Sequence, residues 1–413
     1  MTDNSTRSDL QTFLPEAVEK VRARLGIPER SNRMPHNEFV TYDSIRHYAE
    51  GYGDDNPLWS ERQYARNSCW GDVIAPPFFP TSAGVPIAVA WSDAQASAMA
   101  GRDPLRGIGQ YLRAERWTLA RPLFVGTRLL KTRGLVRADI VPSTRFAGGV
   151  SAVLCYRLIY FDDSPDRVPV AVNEREYVYG IFSSERDAAD SSHQRELAHY
   201  DAAALAKIDA AYASEFRRGP AVLDAQAVKI GDQLPEIVRG PLTVTDVIAH
   251  HVGLGLGDLF GVGALRLAYL NRQRIPGFYS ENRFGAFDVK QRCHWEEDWA
   301  QALGRPTIYD YAAMRMNWIA NAITNWMGDG ACLRSFEGRA RRFNYIGDTQ
   351  WIGGSVIGVS EVDRRPAVEL QLQGTNQIGE LTCEASATVI LGADSAPPEM
   401  PAIPTSLASL ASQ

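Results

Sequence analysis

The sequence predicts an α+β chain built from two copies of one unit, each a helix followed by an antiparallel meander. Three observations predict it. A helical pattern that stops at a glycine turn occurs twice, at Thr41–Glu50 before Gly51-Tyr52-Gly53 and at Thr243–Val252 before Gly253-Leu254-Gly255. Each is followed further on by short β-rich runs separated by Gly and Pro. Between the two copies lies a Ser-, Asp- and Ala-rich connector.

Residues 1–36 form an N-terminal extension with one amphipathic stretch, Leu14 to Leu25, broken at Gly26-Ile27-Pro28. A strand-like segment at Glu38–Tyr42 leads into the first helix, with Thr41 or Asp43 as its N-cap and Ile45, Tyr48 and Ala49 on one side. A loop-rich region with Pro57, Pro76, Pro77 and Pro80 follows. The first meander runs through Trp117–Leu119, Leu129–Val136, Ser151–Phe161 and Arg175–Phe182, with breakers at Pro122, Gly126, Pro142 and Gly148-Gly149. This unit spans 37–183. The connector, 184–228, holds a helical pattern at Ala202–Phe216. The second unit, 229–394, has a short strand, the Thr243–Val252 helix, a long insertion over 259–287 and a second helix at Tyr311–Asn325. Its β-rich runs are Gly338–Phe343, Trp351–Val359, Ala367–Leu372 and Ala385–Leu391. Residues 395–413 read as a loose tail.

The chain has 413 residues, 45% hydrophobic and 22% charged, with 43 Lys+Arg against 49 Asp+Glu and a net charge of -6. These values describe a globular protein with a full core. The acidic balance argues against nucleic acid as a partner. No run reaches the ~18 apolar residues of a membrane helix, and no secretory h-region opens the chain, so a cytoplasmic protein is expected. The five cysteines are scattered, without CxxC or zinc spacing, and predict free thiols. His250 and His251 are adjacent, so on a helix they point ~100° apart and do not share a metal readily. No metal is expected. Gly253-Leu254-Gly255-Leu256-Gly257-Asp258 fails to complete a dinucleotide loop, and neither a Walker A lysine nor a GxSxG elbow occurs.

The sharpest local signal is Tyr48-Ala49-Glu50-Gly51-Tyr52-Gly53-Asp54-Asp55-Asn56-Pro57-Leu58-Trp59, with Ala65 and Ile74-Ala75-Pro76-Pro77 beyond it. It resembles the motif of MaoC-like (R)-specific enoyl-thioester hydratases, which reads Tyr-Ala, then Gly-Asp-x-Asn-Pro-Leu-His, five residues and Ala. Asp54 falls on the family's catalytic aspartate and Asn56 on its asparagine. Trp59 stands where the histidine belongs. In the second half His294 precedes Ala300 with the same spacing, but its upstream segment is Phe287-Asp288-Val289-Lys290-Gln291-Arg292-Cys293. There Asp288 is shifted by one position, and Asp258 is the alternative carboxylate. The first half also resembles a FAS1-like dehydratase domain. The string His294-Trp295, Tyr309-Asp310, Trp318, Thr324-Asn325-Trp326 and Gly328-Asp329 resembles the C-terminal half of such proteins.

The resemblance implies a double hotdog fold: two helices wrapped by antiparallel sheets and paired as a dimer would be. It implies reversible hydration of a 2-enoyl thioester to a 3-hydroxyacyl thioester, in fatty-acid or polyketide metabolism, with coenzyme A as carrier and acyl carrier protein second. No redox cofactor is implied. A carboxylate and an imidazole on one wall orient a water and move its protons. An N-terminal helix turn stabilises the enolate oxygen. His294 is then the acid/base with Asp288 or Asp258, while Asp54 and Asn56 either contribute across the pseudo-dimer or keep a turn. Trp59, Tyr309, Asp310 and Tyr311 become substrate-binding candidates, with the Tyr311–Ala313 amides as donors and Asp310 as helix cap. The insertion is expected to shape the acyl pocket. Arg339–Arg342 suits either a phosphate or, more simply, a solvated face. Trp295, Trp299, Trp318 and Trp326 suit the core. A homodimer is compatible with this reading. The rivals are a hotdog thioesterase and an inactive acyl-thioester binding protein or partner subunit of a dehydratase.

Overall fold

A computed structural model of the chain describes residues 4–31, 33–181, 196–255, 262–362, 364–392, 402–403 and 406–407. Ten of its strands make a single sheet. The first half supplies β1 (Val85–Pro86), β2 (Gly109–Leu119), β3 (Leu129–Pro142), β4 (Val150–Asp162) and β5 (Pro169–Gly180). The second half supplies β6 (Gln233–Arg239), a separate hairpin β7 (Tyr279–Glu281) and β8 (Phe287–Val289), then β9 (Cys332–Ala340), β10 (Gln350–Val362), β11 (Arg365–Asn376) and β12 (Leu381–Ile390). The sheet order is β1-β3-β4-β5-β2-β9-β12-β11-β10-β6. The two halves therefore appear in mirrored order about the β2–β9 seam, where Ala114–Thr118 pair antiparallel with Ser335–Arg339. This is the double hotdog architecture. β9 begins earlier than the Gly338–Phe343 run suggested, because Cys332, Leu333 and Phe336 point into the core.

Five helices position the site: α1 (Asn4–Arg22), α2 (Tyr42–Glu50), α3 (Pro57–Ser60), α4 (Val244–Gly253) and α5 (Ala312–Met327). α2 and α4 each start with a threonine capping box, Thr41 with Ser44 and Thr243 with Asp246. They pack on one another at their glycine ends. A Cβ on Gly253 would lie 2.6 Å from the His47 carbonyl and 2.9 Å from Gly51 Cα, so only glycine allows this crossing.

α5 is the central helix of the second half, with fourteen of its sixteen residues buried. The first half has no equal. Directly after Pro76-Pro77 it forms a short 3-10 turn, Phe79–Ser82, and further on a seven-residue helix, Asp93–Met99, that buries no residue. Its concave face is filled by other means. Phe78 stacks on Trp117 at 5.1 Å, and Trp117 stacks on Tyr160. Glu115 and Arg175 form a buried ion pair of 3.0 Å. α1 covers the rest: Leu14, Ala17, Val18 and Val21 pack on Leu135, Ala152 and Leu154. Ala152 and Leu154 lie on the same face of β4 as Leu158 and Tyr160, since alternate residues share a face.

The connector helix spans Ala202–Ala213, within the expected range. Part of the C-terminal segment is docked rather than loose. Ile403 is buried against Ile159 and Val172, and Arg157 Nη1 donates to the Ser406 carbonyl at 2.6 Å. Among the described residues no helix is long and apolar enough to cross a membrane.

Candidate active site

In the first half the motif closes on itself. α2 ends at Gly51, and the following turn buries Asp54 to 3% exposure. Its Oδ1 accepts the Asn56 backbone N–H at 3.0 Å. Its Oδ2 accepts the Tyr52 hydroxyl at 3.0 Å and the Trp59 indole N–H at 2.9 Å. Burial pushes the Asp54 carboxyl up, and these donors oppose the shift. Asn56 is equally occupied, since its Oδ1 caps α3 by accepting the Leu58 N–H at 3.0 Å. An indole is a donor only and cannot take a proton. Trp59 thus occupies the histidine position and ties up the aspartate.

The second half is arranged differently. A 3-10 turn, Lys290–His294, presents His294 against the start of α5. His294 Nδ1 lies 2.9 Å from the Tyr309 carbonyl oxygen. A carbonyl only accepts, so this contact assigns the proton to Nδ1 and leaves Nε2 with its lone pair. The ring sits on Tyr311 with centroids 3.9 Å apart and meets Tyr309 edge-on. His294 as a residue is half-buried, with the Tyr309 and Tyr311 rings packed against its imidazole. Burial pushes its pKa down to about 4, the Tyr309 carbonyl opposes this, and neighbouring His251 lowers it further. At neutral pH His294 is an uncharged base.

Tyr311 is the N-cap of α5 and makes no side-chain cap hydrogen bond. The next residues, Ala312 and Ala313, are half-buried, so the helix begins beside the imidazole with an open first turn. The Tyr311 hydroxyl accepts from Gln291 Nε2 at 2.8 Å and lies 3.1 Å from His251 Nδ1. His250 also faces the Tyr311 ring; it is fully buried, and among the described residues neither ring nitrogen has a hydrogen-bond partner. Among the described residues, no group of three or more metal-ligating side chains is placed to hold an ion.

Several expectations need correction here. Asp310 is not the cap of α5. Its carboxylate turns to Arg315 Nε at 3.0 Å and to Asn344 Nδ2 at 3.0 Å, and so anchors the helix start to the β9–β10 connection. Burial pushes it up to about 6, against the pull of Arg315 and Asn344. Asp288 is not joined to His294. Strand alternation turns Val289 inward, 3% exposed, and puts the half-buried Asp288 on the other side, where it accepts its neighbour's N–H at 2.7 Å. Asp258 lies outside the described residues. Arg339, Arg341 and Arg342 are taken up in ion pairs with Glu337, Glu384 and Glu380. Trp318 and Trp326 are core residues; Trp295 instead meets His251 edge-on.

Gln291 and His251 escaped the sequence reading, although a signal for Gln291 existed. It stands three residues before His294, as Asn56 stands three before Trp59. Val289 stands five before His294, as Asp54 does before Trp59. The motif is therefore present in both halves, with an amide kept in each and the acid/base pair divided between them.

A pocket away from His294 lies in the first half, with Trp59, Trp70, Pro76, Pro77 and the C-terminal end of α5 among its walls. None of the described residues of the insertion lines it. The insertion's helix, Arg266–Arg274, buries no residue at all.

Comparison with known proteins agrees with this architecture. A solved MaoC-like dehydratase superposes with a TM-score of 0.59 over 90% of this chain and 100% of its own, at 16% identity. A MaoC-like dehydratase from Phytophthora capsici covers 91% of this chain and 97% of its own, with a TM-score of 0.47 and 11% identity. The chain is thus a double hotdog protein with the fold of a MaoC-like dehydratase. More particularly, residues 32–143 match the family described as the FAS1-like dehydratase domain region. A UPF0336 protein of Thermobifida fusca (strain YX) is 39% identical over 51 residues, 12% of this chain and 34% of that protein. The match spans about a third of that relative's length.

Proposed function

We propose that the protein interconverts a 2-enoyl thioester and a 3-hydroxyacyl thioester, with its chemistry at His294 in the second half. The observation that carries this reading is the His294 imidazole. Its Nδ1 is engaged by a backbone carbonyl, and the ring is held neutral beside the open first turn of α5. In hydration, Nε2 takes a proton from the water whose oxygen bonds to the β-carbon. The double bond's electrons move to the α-carbon and the thioester oxygen. The imidazolium then returns the proton to the α-carbon on the same face, so one water is added and the base is regenerated. The α5 N-terminus favours the transient negative charge on the thioester oxygen. Coenzyme A is the carrier we favour, with acyl carrier protein as the alternative.

The test follows the ultraviolet absorbance of an enoyl thioester with wild type, His294→Ala and Asp54→Asn. His294→Ala is expected to lower kcat by about 10²–10⁴-fold. Asp54→Asn is expected to leave kcat per folded molecule nearly unchanged. Loss with Asp54→Asn alone sinks the assignment. Absence of wild-type turnover with acyl-thioester binding intact identifies a binding or partner subunit. Release of free thiol identifies a thioesterase.

A further inference from the structure

The insertion of the second half leaves its apolar side chains in water. Its helix, Arg266–Arg274, has no buried residue. Leu265 is 91% exposed and Phe284 77%, the two most exposed large apolar side chains among the described residues. Leu267, Tyr269, Leu270 and Phe287 are exposed as well. These side chains belong to one surface. Arg272 lies over the Tyr269 ring at 5.7 Å and over the Phe287 ring at 4.6 Å, which joins the helix to the β7–β8 hairpin. At the tip of that hairpin Arg283 lies over the Phe284 ring at 4.9 Å. Single exposed apolar side chains are ordinary, but a cluster of this kind marks a surface that something else covers.

Charge decides what covers it. The chain as a whole has a net charge of -6. The insertion runs the other way over its described residues, with Arg266, Arg272, Arg274 and Arg283 against Glu281 and Asp288. Among the described residues none of the four arginines is in an ion pair; Arg274 donates instead to Asn271 Oδ1 at 2.9 Å. A second copy of the chain would bring the same arginines face to face, and like charges oppose that pairing. The occupant is therefore anionic on its outside and apolar within. An anionic phospholipid bilayer has both properties, in layers. The arginines sit on the faces of the rings, so a ring that enters the acyl boundary keeps its guanidinium at the level of the phosphates. Leu265, at the start of the helix, and Phe284, at the hairpin tip, are the side chains that enter first.

We infer that the insertion docks the protein on a bilayer surface that contains anionic phospholipid. The contact is peripheral: the protein lies on the membrane and does not cross it. β8 runs directly into the Lys290–His294 turn, so docking holds that turn near the lipid. The inference stands apart from the function proposed above. The test sediments the full chain with vesicles of phosphatidylcholine alone and of phosphatidylcholine mixed equally with phosphatidylglycerol. Wild type is expected to bind the mixed vesicles, with a preference of about tenfold or more over the neutral ones, and to be released by high salt. Arg266→Gln/Arg274→Gln/Arg283→Gln, at three exposed positions, is expected to lose about fivefold in partitioning for each charge removed. Phe284→Ser/Phe287→Ser is expected to lose about tenfold or more. Ile230→Ser removes an exposed apolar side chain outside the insertion and is expected to bind as wild type does. The circular dichroism spectra are expected to match throughout. Wild type that ignores the mixed vesicles, binds both kinds equally, or keeps its binding in both multiple variants overturns the inference. So does a loss in Ile230→Ser as large as that in the phenylalanine variant. A concentration-dependent dimer that Phe284→Ser/Phe287→Ser dissolves also overturns it, since a second copy then covers the surface. An acyl carrier protein that binds this face while vesicles do not has the same consequence.

Discussion

Trp59 and His294 occupy matching places, each followed after five residues by a fully buried alanine, Ala65 and Ala300. Around Trp59 both carboxylate oxygens of Asp54 are matched to donors within the same turn. Near His294, both nitrogens of His250 and Oε1 of Gln291 are buried without a hydrogen-bond partner among the described residues. Buried polar atoms without partners are costly. A folded chain keeps them where a ligand or a moving proton uses them. The contrast directs the search for chemistry to the second half.

The comparison breaks most visibly if the second half is made to resemble the first. His294→Trp places an indole at the base position. Turnover is expected to fall by about 10²–10⁴-fold, the range for losing a positioned acid/base, while the circular dichroism spectrum stays that of wild type. Activity retained in this variant moves the chemistry away from His294.

A second test uses acid. In the unfolded chain His250 ionises near its ordinary 6.5; in the fold, burial first and then His251 and His294 push it down to about 3. Between those pH values the unfolded chain holds a proton that the folded chain lacks. Stability from this group is full above about 6.5 and falls as pH drops toward 3, by on the order of a few kcal/mol. His294, pushed down to about 4, adds in the same direction. His250→Leu removes the larger contribution, so its urea midpoint is expected to decline less between neutral pH and pH 4 than that of wild type. Parallel declines for the two proteins would contradict the buried neutral imidazole.

Much of this was legible in the sequence because it depends on local rules. Thr41 with Ser44, and the Gly51-Tyr52-Gly53 stop, define α2 without reference to the rest of the chain. The four β-rich runs of each half were visible through alternation and breakers. The site was legible only in pieces. Asp288 and Val289 differ by one position, and strand alternation, which depends on the β7–β8 pairing, decides which faces inward. His251 meets Tyr311 across 60 residues. No local pattern encodes that approach; the α2–α4 glycine crossing and the placement of α5 create it. Nor does the sequence announce that α1 covers the concave face of the first half.

A smaller effect is expected at Tyr311. Tyr311→Phe keeps the ring under His294 but removes the hydroxyl that joins Gln291 to His251. Stranding the buried Gln291 amide costs about 1–3 kcal/mol of stability. If the hydroxyl serves only the fold, kcat at saturating thioester is unchanged. A positioning role lowers kcat by about tenfold without raising KM, because a transition-state contact has then been lost.

The smallest expected change is the most instructive. Trp59→His restores the Asp–Asn–His order of the motif in the first half and leaves space for a ligand. If the motif residues alone made the site, the variant would gain activity, best seen in a His294→Ala background where the second half is silent. None is expected. Ile74 bridges Phe124 as Tyr309 bridges Tyr345, so Pro76 and Pro77 stand where Tyr311 and Ala312 stand in the second half. An imidazole at position 59 still lacks two of the three amide donors, because Pro76 and Pro77 carry no N–H, and only the short Phe79–Ser82 turn directly follows, in place of a long helix like α5. Developing charge on a thioester oxygen would meet fewer donors there, and a single donor is worth about 10²–10³-fold in comparable sites. Turnover appearing in Trp59→His/His294→Ala would mean that the first half lost its activity through one substitution. Continued silence, with the circular dichroism spectrum unchanged, would place the difference between the halves in the backbone as much as in the side chains.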